Sequence, residues 1–170
     1  MISVVVALAV VIIDFVTKYM IKTSMELGES FSVIPGLFNF TYVLNKGAAW
    51  GMLPDKRWIF LVFSAVAIVL ICVLLYMYRN AAKLVKISLS LVLGGGIGNM
   101  IDRIFNGDVV FDGAVVDFIE AAFIDFPVFN VADSAVCIGA ALLLVYVIFF
   151  ESKNTKSGKE IKDGDDGDEA

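Results

Sequence analysis

Four long apolar runs, separated by polar connections, dominate the chain. Each approaches the ~20 residues that an α-helix needs to cross a bilayer. The first covers about residues 2–21 and carries no charge until Asp14 and Lys18. The second, residues 58–78, is uncharged over 21 residues. The third covers about residues 84–104; its uncharged core, residues 87–101, would be only about 22 Å long as a helix. Lys86 and Arg103 at its ends are therefore expected to snorkel. The fourth covers about residues 130–150 and is uncharged after Asp133. Between the first two runs the period changes. Phe38, Phe40, Tyr42 and Leu44 alternate with Asn39, Thr41 and Val43, which predicts a strand bounded by turns at Pro35-Gly36 and Asn45-Lys46-Gly47.

This pattern predicts a mainly α membrane protein with four transmembrane helices. It divides into a membrane unit over residues 1–150, with outer segments at about 23–57 and 105–129, and a disordered tail over 151–170. Composition agrees: 59% of residues are hydrophobic and the mean hydropathy is +0.88, above the apolar share usual in soluble domains. The first run has no basic flank before it, so it reads as a retained helix rather than a cleaved signal peptide. Lys and Arg set the orientation. The 79–86 connection and the tail hold seven, against five in the other two connections. Both termini are accordingly expected in the cytoplasm.

Charge and residue types narrow the chemistry. The net charge is −5, with −3 in the tail and no basic stripe for nucleic acid. There is no histidine, which excludes Ser-His-Asp and Cys-His catalysis and any His-held metal. Cys72 and Cys137 sit within apolar runs and read as small hydrophobes. The intramembrane charges, functional by default, gather towards one face of the bilayer: Asp14 and Lys18, then Asn99, Asp102 and Arg103, then Asp133. Asp14 and Lys18, spaced i and i+4, share a helix face; they form either a self-neutralising pair that lets Lys18 snorkel or a brace for a site. Gly94-Gly95-Gly96-Ile97-Gly98 lies inside a hydrophobic helix and suits close helix packing better than a phosphate loop. The segment Asn45 to Gly51 is either a turn carrying an interfacial Trp50 or a small-residue wall that admits a substrate backbone, with Asn45 bonding to it.

Two carboxyl groups complete the set, Asp117 in Val115-Val116-Asp117-Phe118 and Asp133 in Phe129-Asn130-Val131-Ala132-Asp133-Ser134. If they meet, one keeps a proton. The ionised member can activate water, and the protonated one can polarise a peptide carbonyl and later supply a proton to the leaving nitrogen. Spacing alone leaves this pair open against two interfacial acids facing water. Asp108, Asp112, Glu120 and Asp125 read as solvated acids.

The motifs together resemble a known family, the lipoprotein signal peptidases (signal peptidase II), bacterial membrane aspartyl proteases. The resemblance rests on Asp14-Phe-Val-Thr-Lys18, Asn45-Lys-Gly-Ala-Ala49, Gly98-Asn-Met-Ile-Asp-Arg103, Val115-Val-Asp-Phe118 and Phe129-Asn-Val-Ala-Asp-Ser134, in family order over residues 14–134. It implies Asp117 and Asp133 as the catalytic pair, with Asp14, Lys18, Asn45, Gly47, Asn99, Asp102, Arg103, Asn130 and Ala132 lining or bracing the site. It implies a diacylglyceryl-modified prolipoprotein as substrate, cut before the modified Cys. It further implies a small extracytoplasmic β-cradle, a mobile 105–129 cover, and a site near the outer face of the bacterial cytoplasmic membrane. No cofactor or metal is expected; membrane lipid is a partner, nucleic acid is not, and a monomer is expected. Two departures stand out. Trp50 replaces a common Phe, and the stretch from Arg103 to Asp117 is long, with an echo, Val109-Val110-Phe111-Asp112, that makes Asp112 a rival for the pair. The competing class is a small ion- or proton-coupled transporter using Asp14, Asp102 and Asp133 as relay groups.

Overall fold

The computed structural model describes residues 1–47 and 57–151. Residues 48–51 of the 45–51 segment read as a turn or a wall, including Trp50, and the tail beyond residue 151 lie outside the described residues. The described elements run α1 (Ile2–Ser24), β1 (Ser30–Ile34), β2 (Phe38–Asn45), α2 (Arg57–Met77), α3 (Lys83–Phe105), β3 (Val115–Ala121) and α4 (Val131–Tyr146). A π-helical turn, Val147–Glu151, continues α4. Four helices, α1 to α4 with the start of that turn, are long and apolar enough to cross a membrane. They fall within a few residues of the apolar runs.

α3 is the hub of the bundle and packs on α1, α2 and α4. Its glycines explain how. A Cβ on Gly94 would come within 2.7 Å of Val10 Cβ on α1, and one on Gly139 of α4 within 2.6 Å of the Ser88 carbonyl on α3. Gly95 abuts the Ala132 carbonyl of α4, also too closely for a Cβ. Small residues thus bring these backbones together where lipid supplies no hydrophobic drive between helices. α2 has almost none of its span buried, in keeping with a helix apolar on every side.

At the end of the bundle where α1 and α3 finish and α4 begins, the three strands form one antiparallel sheet in the order β1-β2-β3. The alternating 38–44 stretch is its central strand. β1 joins it through a tight turn in which Leu37 N donates to the Ile34 carbonyl at 2.9 Å, with Pro35 second and Gly36 third at φ +75°, the arrangement a type II turn requires. β3 comes from the second outer segment, so residues 105–129 are more than a cover: Val115–Ala121 completes the cradle. Ile21, Met25, Tyr42, Val116 and Phe118 form the core that fastens the sheet to the helices. Glu120 is not merely a solvated acid. Thr41 and Asn39 both donate to its carboxylate across the strands, which holds it below the usual carboxylate range.

The long stretch after Arg103 is tied back on itself. Phe111 N donates to the Ile104 carbonyl, Gly113 N to that of Arg103 and Ala114 N to that of Asn106. Asn106 Nδ2 returns a bond to the Ala114 carbonyl at 2.6 Å. Phe111 takes a left-handed φ of 69°, and its ring stacks on Trp58 at 6.0 Å.

Candidate active site

The site is built where three chain segments converge: the end of β2, the start of β3 and the first turn of α4. β3 places Asp117, and residues 122–128 return the chain so that Phe129 pairs with Ile119, with Phe129 N donating to the Ile119 carbonyl at 3.0 Å. This reversal delivers Asn130 beside β3 as the N-cap of α4. Asn130 and Asp133 then form a capping box. Asp133 N donates to Asn130 Oδ1 at 2.9 Å, and Asn130 N donates to Asp133 Oδ2 at 3.1 Å.

The two acids meet through Asn130, whose side chain is fully buried. Its Nδ2 donates to Asp117 Oδ1 at 2.6 Å and also lies 3.0 Å from Asn99 Oδ1 and 3.3 Å from the Val116 carbonyl. Asn99 Nδ2 donates to the other acid, at Asp133 Oδ1, over 2.7 Å. One asparagine thus touches both carboxyl groups, and a second links them through the first. Asn45 Nδ2 donates to Asp117 Oδ2 at 2.9 Å, while its Oδ1 is held by Gly47 N. Asn45 thus bonds to an acid through its nitrogen, and Gly47 holds its oxygen.

Behind this layer lies a buried ionic one. Lys18 is only 3% exposed, so it does not snorkel. Its three protons have three partners: Asp14 Oδ2 at 2.7 Å, Asp102 Oδ2 at 3.0 Å and Asn99 Oδ1 at 2.9 Å. Asp14 is thus paired with Lys18 on its own helix and, through that ammonium, joined to Asp102 and Asn99 of α3. Its Oδ1 accepts from Ala132 N at 2.9 Å, so it completes the cap of α4 from another helix. Asp102 Oδ2 accepts from Val116 N at 3.1 Å, which locks the start of β3. Arg103 does not reach for headgroups either. It lies over the Phe60 ring at 5.7 Å, within electrostatic reach of Asp133 and Asp117.

In front is a cleft of about 520 Å³, lined by Asp117, Asp133, Arg103, Asn45 and Gly47 on its polar side. Residues 126–129, with Ser134 and Cys137, form the rest of the wall. Asp112 is exposed and outside it. The apolar lining was missed as site in the sequence, because Phe126, Pro127 and Val128 look like any loop before a helix. Cys137, one turn beyond Asp133, looks like any lipid-facing residue. Burial pushes the Asp117 carboxyl up to about 7. The donors Asn45 and Asn130 oppose the shift, and the nearby charge of Asp133 adds to it. Such a group can hold a proton near neutrality beside a second carboxyl. Among the described residues no cluster of three acidic or thiol side chains is placed to hold a metal.

Comparison with known proteins decides the class. The profile of the family described as signal peptidase (SPase) II matches residues 6–149. The chain belongs to the signal peptidase II family. It is a multi-pass membrane protein and an aspartic-type peptidase, which excludes the transporter reading. It is 41% identical over 157 residues to the lipoprotein signal peptidase of Symbiobacterium thermophilum, an alignment covering 91% of this chain and 99% of that one. Two solved bacterial membrane enzyme structures, obtained by the in meso method at 2.3 and 1.9 Å, share the fold and 37% identity. Their TM-scores are 0.77 and 0.74, over 89% and 87% of this peptidase and 90% and 93% of theirs.

Proposed function

We propose that this peptidase removes signal peptides from prolipoproteins whose cysteine already carries diacylglycerol, cutting just before that cysteine with Asp117 and Asp133. The observation that carries the reading is Asn130 touching both carboxyl groups on the wall of a cleft that is otherwise largely apolar. The cleft extends from the acids past Ser134 to Cys137 along α4. A substrate held in the bilayer by its acyl chains can lie along such a wall with its peptide bond at the acids.

The proton is assigned to Asp117, the more deeply buried acid, whose carboxyl is pushed up to about 7. Asp133 is then the ionised member, facing Arg103. In the forward step water attacks the scissile carbonyl carbon. Asp133 takes a proton from the water while Asp117 gives its own to the carbonyl oxygen. As the tetrahedral species collapses, the leaving nitrogen takes the proton from Asp133, the C–N bond breaks and Asp117 recovers its proton. Asn45, Asn99 and Asn130 keep the acids oriented throughout. Asp14, Lys18, Asp102 and Ala132 hold the elements that carry them.

The functional unit is residues 1–150, with both termini cytoplasmic and the acids near the outer face of the bacterial cytoplasmic membrane. The test uses purified peptidase in lipid bilayers and paired prolipoprotein peptides. The diacylglyceryl peptide is expected to be cut before its modified Cys, and the peptide with an unmodified Cys to be left intact. Equal cutting of both would contradict the substrate assignment.

A further inference from the structure

At the opposite end of the bundle from the acids, α2, α3 and α4 enclose a second groove of about 350 Å³. Leu74, Tyr78, Ala81, Leu89, Leu143 and Tyr146 line it. Apart from the two tyrosine hydroxyls, these side chains offer only hydrocarbon. The groove meets the α2–α3 connection, since Tyr78 and Ala81 lie on either side of Arg79-Asn80. That connection holds Arg79, Lys83 and Lys86 and no acid. Arg79 and Lys83 are exposed, and Lys86 is half-exposed.

Two of these cations have contacts within the connection and the helix end before it. Arg79 lies 4.9 Å from the centre of the Tyr76 ring, and its Nη1 donates to the Tyr76 carbonyl at 3.2 Å. Lys86 Nζ lies 3.4 Å from the Arg79 carbonyl. Among residues 1–47 and 58–149, no carboxylate is paired with any of the three within 4 Å. An apolar groove between spanning helices therefore ends under a cluster of positive charge, at the level where tyrosines mark a membrane interface.

We infer that this groove is a binding site for an anionic phospholipid, with one acyl chain between α2, α3 and α4 and the phosphate at Arg79, Lys83 and Lys86. Charge complementarity selects the occupant. A zwitterionic lipid fills the apolar part equally but gains little from three cations, whereas an anionic headgroup gains from each. The site is remote from the cleft and involves none of its residues.

Native mass spectrometry of the full-length protein, titrated with phosphatidylglycerol or phosphatidylcholine of identical chains, tests this. Wild type is expected to bind phosphatidylglycerol at least about tenfold more tightly. In R79Q/K83Q/K86Q, which changes only rim side chains, that preference is expected to fall to within about threefold. Filling the groove with Ala81→Trp is expected to weaken both lipids while peptide cleavage is retained. Glycerol phosphate, a headgroup without chains, is expected not to compete. Equal affinity for the two lipids in wild type would overturn the site. So would an undiminished preference in the triple variant, or competition by glycerol phosphate.

Discussion

At the scale of single residues, the ammonium of Lys18 governs the geometry of the acids. It can only donate, so it forces Asn99 Oδ1 to face it. The Asn99 amide nitrogen must then point at Asp133. Lys18→Met would leave Asp14 and Asp102 buried without their cation, and a loss of about 3–5 kcal/mol in stability is expected. In protein that remains folded, kcat is expected to fall much more than KM rises, because Asp133 loses its orientation while the cleft wall stays. Denaturant unfolding and steady-state kinetics separate the two effects. Asp117 carries the pH dependence. Its folded value of about 7 lies above the ordinary 3.8, so the folded state binds the proton more tightly. The stability this contributes is fully present below about pH 4 and is lost as pH rises to about 7. The melting temperature of Asp117→Asn relative to wild type is therefore expected to climb across that window and then level off. In wild type, kcat/KM is expected to decline above about pH 7 as the pair loses its proton. Asp14, Lys18, Asp102 and Asp133 stood out in the sequence because charge is rare in apolar runs, whereas Asp117, in an outer segment, was singled out by the family resemblance. Their contacts were not legible there. Nothing in the spacing of Asp14 and Lys18 says that the pair serves α3 and α4 as well as itself, because the partners lie more than 80 residues away.

At the scale of elements, the close approach of α3 to α1 and α4 depends on particular glycines. A Cβ on Gly98 would lie 2.6 Å from Asp14 Oδ2, and one on Gly95 would collide with the Ala132 backbone. Gly96, in the same run, faces only Ile68 Cγ1 at 3.6 Å. Gly95→Ala and Gly98→Ala are each expected to cost about 1–3 kcal/mol through overpacking and to lower activity, because each pushes on the base of α4 where Asp133 sits. Gly96→Ala is expected to be neutral or to stabilise by up to about 1 kcal/mol. Thermal melting of the three variants checks this ordering. The sequence marked this glycine run as a packing stripe but could not rank its members, since rank depends on the face each presents. The central strand was equally legible from its alternation. β3 was not: its residues Val115 to Phe118 are buried on both sides, so they show no period of two and read as a continuation of an outer loop.

At the scale of the whole molecule, the chain places its costly charges at one end of a bundle whose α2 is almost wholly open to lipid. The four helices were legible because about twenty apolar residues in a row permit little else. The convergence of β2, β3 and α4 on one cleft was not, because it depends on the reversal between Ala121 and Asn130. If the cleft faces outward, a cysteine introduced at Val110, exposed in the outer loop, should react in intact cells with a membrane-impermeant maleimide. One introduced at Asn80 should react only after lysis. The reverse pattern would invert the orientation. The central claim is that Asp117 and Asp133 act as one pair, and cleavage of a diacylglyceryl prolipoprotein peptide by purified variants tests it most directly. Asp117→Asn and Asp133→Asn are each expected to bind the peptide and to lose more than about 10³-fold in kcat, with Asp112→Asn close to wild type. Turnover by either dyad variant at near wild-type rate, or its loss in Asp112→Asn alone, would contradict the account.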